Sequence, residues 1–272
     1  MRATVILAVL LVLTVSAACS AAPAVRGYTG VIMTPNTEVV GQHTLDIAAH
    51  TFDVDNLGGV PNLDASSTTF AATVGIIEGL EATVAVRALD MGVLIVGPGG
   101  PPGGVPQLED EQIGLHLKYQ VLGEPDDSLG LAVGVTDVFE QWDDFMGMGS
   151  IGPLSLSSAD IGFYGVVSKN FSDLEAGDPP LRLNVGVLLS ESPLFADSLS
   201  QVVPFLGDDL QLFGSVEAGL SDEVTLALEL AGDSINYGVQ ASPVPELNID
   251  VGLLEAFGST EFYWGGSYGF TW

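Results

Sequence analysis

The stretch that decides the fold is EFYWGGSYGFTW, Glu261 to Trp272. Counting by twos puts Phe262, Trp264, Gly266, Tyr268, Phe270 and Trp272 on one face. The opposite face carries Glu261, Tyr263, Gly265, Ser267, Gly269 and Thr271. Successive side chains of a strand point to opposite faces, so the stretch predicts a strand with one aromatic side and one small, mostly polar side. Such an end must be tied into a sheet, and the expected partner is the first strand of the chain.

Upstream, the same period recurs. QIGLHLKYQV sets Ile113, Leu115, Leu117, Tyr119 and Val121 against Gln112, Gly114, His116, Lys118 and Gln120. VTLALELA, INYGVQAS, NIDVGL and LRLNVGV alternate likewise, with Asp250 and Arg182 on the polar sides of the last two. The period is 2, not the 3.6 of a helix. Strands are expected near 43–53, 67–76, 81–90, 111–121, 128–138, 159–168, 181–190, 209–217, 223–231, 234–242, 247–253 and 261–272. Most have the roughly 9–11 residues that a tilted strand needs to cross a bilayer. Short runs at Tyr28–Met33 and Gly92–Val96 either add a strand or belong to loops.

The connections alternate in length. IEGL, LGEPDD, GLSDE and PVPE are tight, whereas DVDNLGGVPNLDAS, GPGGPPGGVPQLEDE and EQWDDFMGMGSIGPLSLSS are long. Short turns on one side and long loops on the other are the signature of an up-and-down outer-membrane barrel. Three turns share a form, an acid followed by alternation, in GLEATVAV, LSDEVTLAL and PELNIDVGL. We read that as a hairpin repeat of the architecture, not as a binding motif.

Composition fits an unusual environment. The chain has 272 residues, 35 acidic against 6 basic, a net charge of -29, and a mean hydropathy of +0.43. A disordered acidic chain would be poor in Val, Leu and Ile, and this one is rich in them. Residues 1–22, from MRATVILAVLLVL onward, read as a secretory signal peptide: Arg2, an apolar core and a small-residue stretch. Its core is short for a membrane anchor. Cys19, the single cysteine, lies in SAAC, a weak lipobox with Ser16 where Leu is usual, and excludes an intrachain disulfide. Residues 23–42 form a lead-in and 43–272 the barrel.

An apolar strand face must meet another layer or lipid. No amphipathic helix is evident to cover it. In a bilayer a spanning sheet must close, because unpaired backbone groups cost several kcal/mol each. The expected fold is therefore an all-β, transmembrane, up-and-down antiparallel barrel of about twelve strands. A secreted soluble β-sandwich that binds carbohydrate is the competing reading.

The other face would line the lumen: Asp46, His50, Arg87, His116, Lys118, Asp160, Arg182, Asp209, Glu217, Glu229, Asp250 and Glu261. Small residues, among them Gly75, Gly134, Gly186 and Gly238, stand between them. Acids outnumber bases, so a conducting lumen should prefer cations. Equally, the acids can pair with Arg87, Lys118 and Arg182 and merely fill a narrow barrel.

Enzyme signals are thin. His43, His50 and His116 are the only histidines, with no metal-binding H-E-x-x-H and no G-x-S-x-G elbow. DVDNLG from Asp53 departs from a calcium loop at Leu57 and Asp64. No catalytic residue, metal or cofactor is expected. An outer-membrane lipid hydrolase using one of the histidines is a further alternative. Expected partners are outer-membrane lipid and lipopolysaccharide, the barrel-assembly machinery, and small cations or polysaccharide, with no nucleic acid.

GYTGVIMTPNTEVVGQHTLDIAAHTFD, Gly27 to Asp53, resembles the opening of the YjbH-like family. The shared elements are a Gly-x-x-Gly-x-x-x-Thr-Pro lead-in, here Gly27, Gly30, Thr34 and Pro35, and a strand ending near a histidine. That resemblance implies an outer-membrane barrel associated with exopolysaccharide production, and it carries over no catalytic residue.

Overall fold

The structure is a computed structural model and describes residues 24, 29–54, 63–95, 103–104, 108–123, 129–136, 141–142, 161–171, 180–189, 210–232, 234–256 and 259–272. Every regular element among them is a strand. In chain order these are β1 Thr44–Val54, β2 Leu63–Ile77, β3 Leu80–Ile95, β4 Gly103–Gly104, β5 Leu108–Leu122, β6 Leu129–Thr136, β7 Gln141–Trp142, β8 Gly162–Phe171, β9 Leu181–Leu189, β10 Leu210–Ser221, β11 Val224–Ala231, β12 Ser234–Val244, β13 Leu247–Ala256 and β14 Ser259–Thr271. Setting aside the two-residue β4 and β7, which flank the ends of β3 and β5, twelve long strands remain.

Those twelve form a closed antiparallel ring in which each strand pairs with its sequence neighbours. Closure is made by β1 and β14, in register from Thr44↔Thr271 to Phe52↔Tyr263. The final aromatic strand therefore meets the first strand, and no open edge is left along this seam. Trp272 adds to it by donating its backbone N–H to the carbonyl of His43 at 3.0 Å, with its ring edge-on to the imidazole.

The alternation resolves into inside and outside. Phe262, Trp264 and Trp272 are 57%, 57% and 69% exposed on the outer wall, whereas Tyr263 between the first two is 1% exposed on the inner wall. Rows such as Leu226, Leu228 and Leu230 on β11, or Leu183, Val185, Val187 and Leu189 on β9, likewise face out. An apolar exterior around a polar interior is the reverse of a soluble sandwich, whose inner faces are its apolar ones. The sandwich expectation is overturned by both the closed ring and the direction of these rows.

Two details differ from the sequence reading. β3 runs on to Ile95 and absorbs most of the Gly92–Val96 run, because β2 lengthens with it and keeps it paired, Leu63 with Val93. The run at Tyr28–Met33 adds no strand; its described part makes a single isolated bridge, Gly30↔Pro35. One end of the barrel carries tight turns such as 78–79, 222–223 and 245–246, and the chain enters and leaves the ring at that end. We call it the turn end, and the opposite one the loop end.

Candidate functional site: the lumen and the hairpin inside it

Residues 29–43 take in most of the described part of the 23–42 lead-in; 41–43 are exposed at the turn end of the barrel, and 29–40 lie inside it. Their contacts are with inward-facing groups on β2, β3, β5, β9, β11 and β12, so they are surrounded by wall. The segment folds back on itself locally. Val31 N–H donates to the Thr34 carbonyl at 2.9 Å, and Gly30 bridges Pro35. Beyond the turn, Glu38 N–H donates to Asn36 Oδ1 at 3.1 Å, an Asx-type turn that redirects the chain.

The tip of this hairpin is held by one carboxylate. Glu229 of β11, 0% exposed, accepts backbone N–H groups from Ile32, Met33 and Thr34, each at 3.0 Å. It also accepts the Thr34 hydroxyl at 2.7 Å and Asn236 Nδ2 at 2.8 Å. Successive backbone N–H groups converging on one anion form a nest, here filled by a side chain of the wall. Gln240 Nε2 donates to the Val31 carbonyl at 2.9 Å on the other side of the tip.

Nearer the turn end a second cluster holds the hairpin's two legs. Glu81 Oε2 accepts Val40 N–H at 2.8 Å, its Oε1 accepts the Thr29 hydroxyl and stands 3.4 Å from Lys118 Nζ. Lys118 Nζ donates to the Thr29 carbonyl at 3.0 Å and also reaches its hydroxyl. Arg182 pairs with Glu38 at 2.6 Å and donates to the Thr37 hydroxyl at 3.1 Å; Gln120 Nε2 donates to the Thr37 carbonyl at 2.8 Å. Each buried charge thus has an opposite charge or several donors, which such groups require.

Apolar packing completes the seat. Val31, Ile32 and Met33 cluster with inward-facing Ala227, Leu254 and Tyr263, with Phe52 against them. Two glycines make room. At Gly238 a Cβ would lie 3.1 Å from Ile32 Cδ1, and at Gly75 it would lie 2.0 Å from the Gly41 carbonyl oxygen. The opposite wall carries a second inward apolar cluster, Ala132, Tyr164, Val166, Leu188 and Phe213. A small cavity separates it from Thr34 and Pro35 at the hairpin tip. The expectation of a polar, small-residue lumen therefore needs correcting, because part of the interior is an apolar core built from hairpin and wall.

The predicted lumen residues take the following places. Asp46, His50, His116, Lys118, Arg182, Glu229 and Asp250 are buried on the inner face, and Arg87, Glu217 and Glu261 are half-buried on it. His50 Nε2 meets Asp250 Oδ1 at 3.2 Å, Ser267 donates to Asp46 at 3.4 Å, and Asn184 Nδ2 donates to Glu217 at 2.6 Å. Asp160 and Asp209 fall outside the described residues, as do the signal segment with Cys19 and most of the DVDNLG run. Phe262, Trp264, Tyr268, Phe270 and Trp272 lie on the outward face of the closing strand, Tyr268 and Phe270 with ring centroids 4.7 Å apart. Of the predicted set, Lys118, Arg182 and Glu229 touch the hairpin directly.

The sequence reading missed Glu81, Glu38, Thr29, Thr34, Gln120 and Gln240. Glu81 belongs to one of the three turn-acid repeats that were read as architecture alone, and here it is 1% exposed and binds the hairpin. Its parity with Arg87 on β3 was the available signal. Among the described residues no group of carboxylates, histidines or cysteines could hold a metal ion.

No family model matches the sequence, and no curated protein does either. Among solved structures, the chain is similar to the KdgM porin at 10% identity and a TM-score of 0.47, covering 84% of this chain and 99% of that one. It is also similar to OprB of Pseudomonas putida, at 11% identity, a TM-score of 0.36, and 84% and 91% coverage. The toluene transporter TbuX of Ralstonia pickettii gives 12%, 0.34, and 86% and 90%. At such identities and scores the likeness carries no functional weight.

Proposed function

We propose that this chain is a non-enzymatic, porin-like barrel of the bacterial outer membrane that passes or excludes small solutes, with cations preferred. One observation carries the reading: twelve long strands close into a ring whose exposed rows are apolar and whose enclosed rows are polar. Hydrocarbon is the solvent that such an exterior suits, and a closed ring is the only sheet that hydrocarbon tolerates. Lipid and lipopolysaccharide would then surround the outer wall, and the barrel-assembly machinery would insert it. Cation preference is supported by Asp46, Glu81, Glu217, Glu229, Asp250 and Glu261 outnumbering Arg87, Lys118 and Arg182 on the inner face of the described strands.

The histidines favour no hydrolase. His50 and His116 are buried inside the ring, and His43 stands against Trp272 at the turn end. What the YjbH-like resemblance adds is a setting, exopolysaccharide production. Deleting the gene and measuring matrix sugar tests that setting, and unchanged sugar removes it.

The test of the main reading is fractionation followed by electrophoresis. The protein is expected to pellet with outer membranes, to need detergent for release, and to run faster unheated than boiled. Recovery in the soluble fraction without detergent overturns the reading.

A further inference from the structure

We infer that the hairpin of residues 29–43 is a plug that the wall holds, above its base, by side chains alone, and that its withdrawal turns a closed barrel into a cation-preferring channel. The inference rests on the porin-like reading above.

The manner of attachment supports it. Wall strands are joined by ladders, nine residue pairs between β1 and β14 for example. The hairpin adds no strand to any of these ladders; among the described residues its backbone-to-backbone bonds to the wall, such as the Gln42↔Gly75 bridge, His43 N–H to the Gly75 carbonyl and Trp272 N–H to the His43 carbonyl, lie at its base. Everything above that base is held by Glu229, Gln240, Glu81, Lys118, Arg182 and Gln120. Withdrawal therefore breaks no ladder bond of the ring, and the barrel keeps its closure.

The plug also runs along the lumen. Glu81 and Arg182 are each the second residue of a strand that starts at the turn end, whereas Glu229 is two residues from the loop-end terminus of its strand. A hairpin bound at both levels runs from the turn end toward the loop end of β11. Once it is gone, Glu81 and Glu229 lose the N–H groups that they now bind, and both carboxylates face lumen water. Lys118 and Arg182 are bared as well, since they lose Thr29 and Glu38, but on the inner face of the described strands the carboxylates still outnumber the bases, so cations are favoured.

Glu229→Gln is the informative change. A carboxylate offers two oxygens to the three N–H groups of the tip; an amide offers one, and turns its own N–H donors toward them. In planar bilayers the wild-type full-length chain is expected to be closed most of the time. Glu229→Gln is expected to raise open probability at least tenfold without changing the sign of ion preference. In parallel, a Val31→Cys probe in a Cys19→Ser chain, buried in the plug, should react with a water-soluble maleimide at least tenfold faster once Glu229→Gln is added.

Equal open probability and equal labelling with and without Glu229→Gln, in a protein that still fractionates with outer membranes and keeps heat-modifiable mobility, overturns the plug and spares the barrel. A protein that never reaches the membrane sinks the porin-like reading instead. Should Glu229→Gln fail to assemble, the Val31→Cys probe alone decides: labelling in the native barrel as fast as in urea overturns the inference. Thr34→Ala, which removes one hydroxyl bond from the same carboxylate, supplies a milder second variant with the same expected direction.

Discussion

At the scale of the residue, the interior shows why a buried acid need not be a defect. Glu229 is 0% exposed, and it is surrounded by three backbone N–H groups, a hydroxyl and an amide. Hydrogen bonds to a charged group are worth about 1.5–3 kcal/mol each, which offsets its desolvation. Gly75 makes the complementary point about space. Its missing Cβ is where the Gly41 carbonyl passes, at 2.0 Å, and that obstacle is backbone and cannot swing aside. Gly75→Ala should therefore force the base of the hairpin off β2 and cost about 1–3 kcal/mol as an overpacking change. A urea midpoint measured in detergent reads this out, and an unchanged midpoint would show that the close approach is not real. Glu229 and Gly75 were both legible in the sequence as inward positions, because parity alone places them. What they bind was not legible, since the partner lies nearly two hundred residues away for Glu229, a separation of 195 to Thr34.

At the scale of the element, strands and hairpin contrast. Each long strand was recoverable because its outer and inner environments differ at every step, and a difference repeated at period 2 is written directly into residue type. The 29–43 segment has no such period. Its neighbours change from Glu229 to Tyr263 to Arg182 around a wall that exists only after closure, so no local pattern can report them. Gly30, Thr34 and Pro35 were read only as parts of a resemblance, which names no partner. The outer rows make their own prediction. Leu228 sits mid-strand on β11, 46% exposed, beside outward Val216 and Tyr237 on its neighbours. If lipid covers that row, Leu228→Arg should cost about 2–4 kcal/mol near the bilayer midplane. Folding titrations into lipid vesicles measure it. A cost near zero would mean that water, not hydrocarbon, faces this wall.

At the scale of the whole molecule, charge and closure act together. A ring lined by more carboxylates than bases focuses a negative potential along its axis, because the strand wall keeps the field from spreading. The chain's net charge of -29 counts these acids together with many others, which add to the field from elsewhere. The two contributions answer differently to salt. At 0.1 M salt the Debye length is about 10 Å, so distant acids still act on a permeating ion, and at 1 M it is about 3 Å, so only near ones do. In the Glu229→Gln barrel, the cation-to-anion permeability ratio taken from reversal potentials should exceed one at 0.1 M and fall toward one at 1 M. Asp250→Asn and Glu217→Gln, each removing an inward acid, should lower the ratio further at 1 M, where screening has silenced the remote charge. A ratio below one at low salt would mean that Arg87, Lys118 and Arg182 dominate the path. A ratio that ignores both substitutions at 1 M would place the selective charge away from the inner wall of β10 and β13.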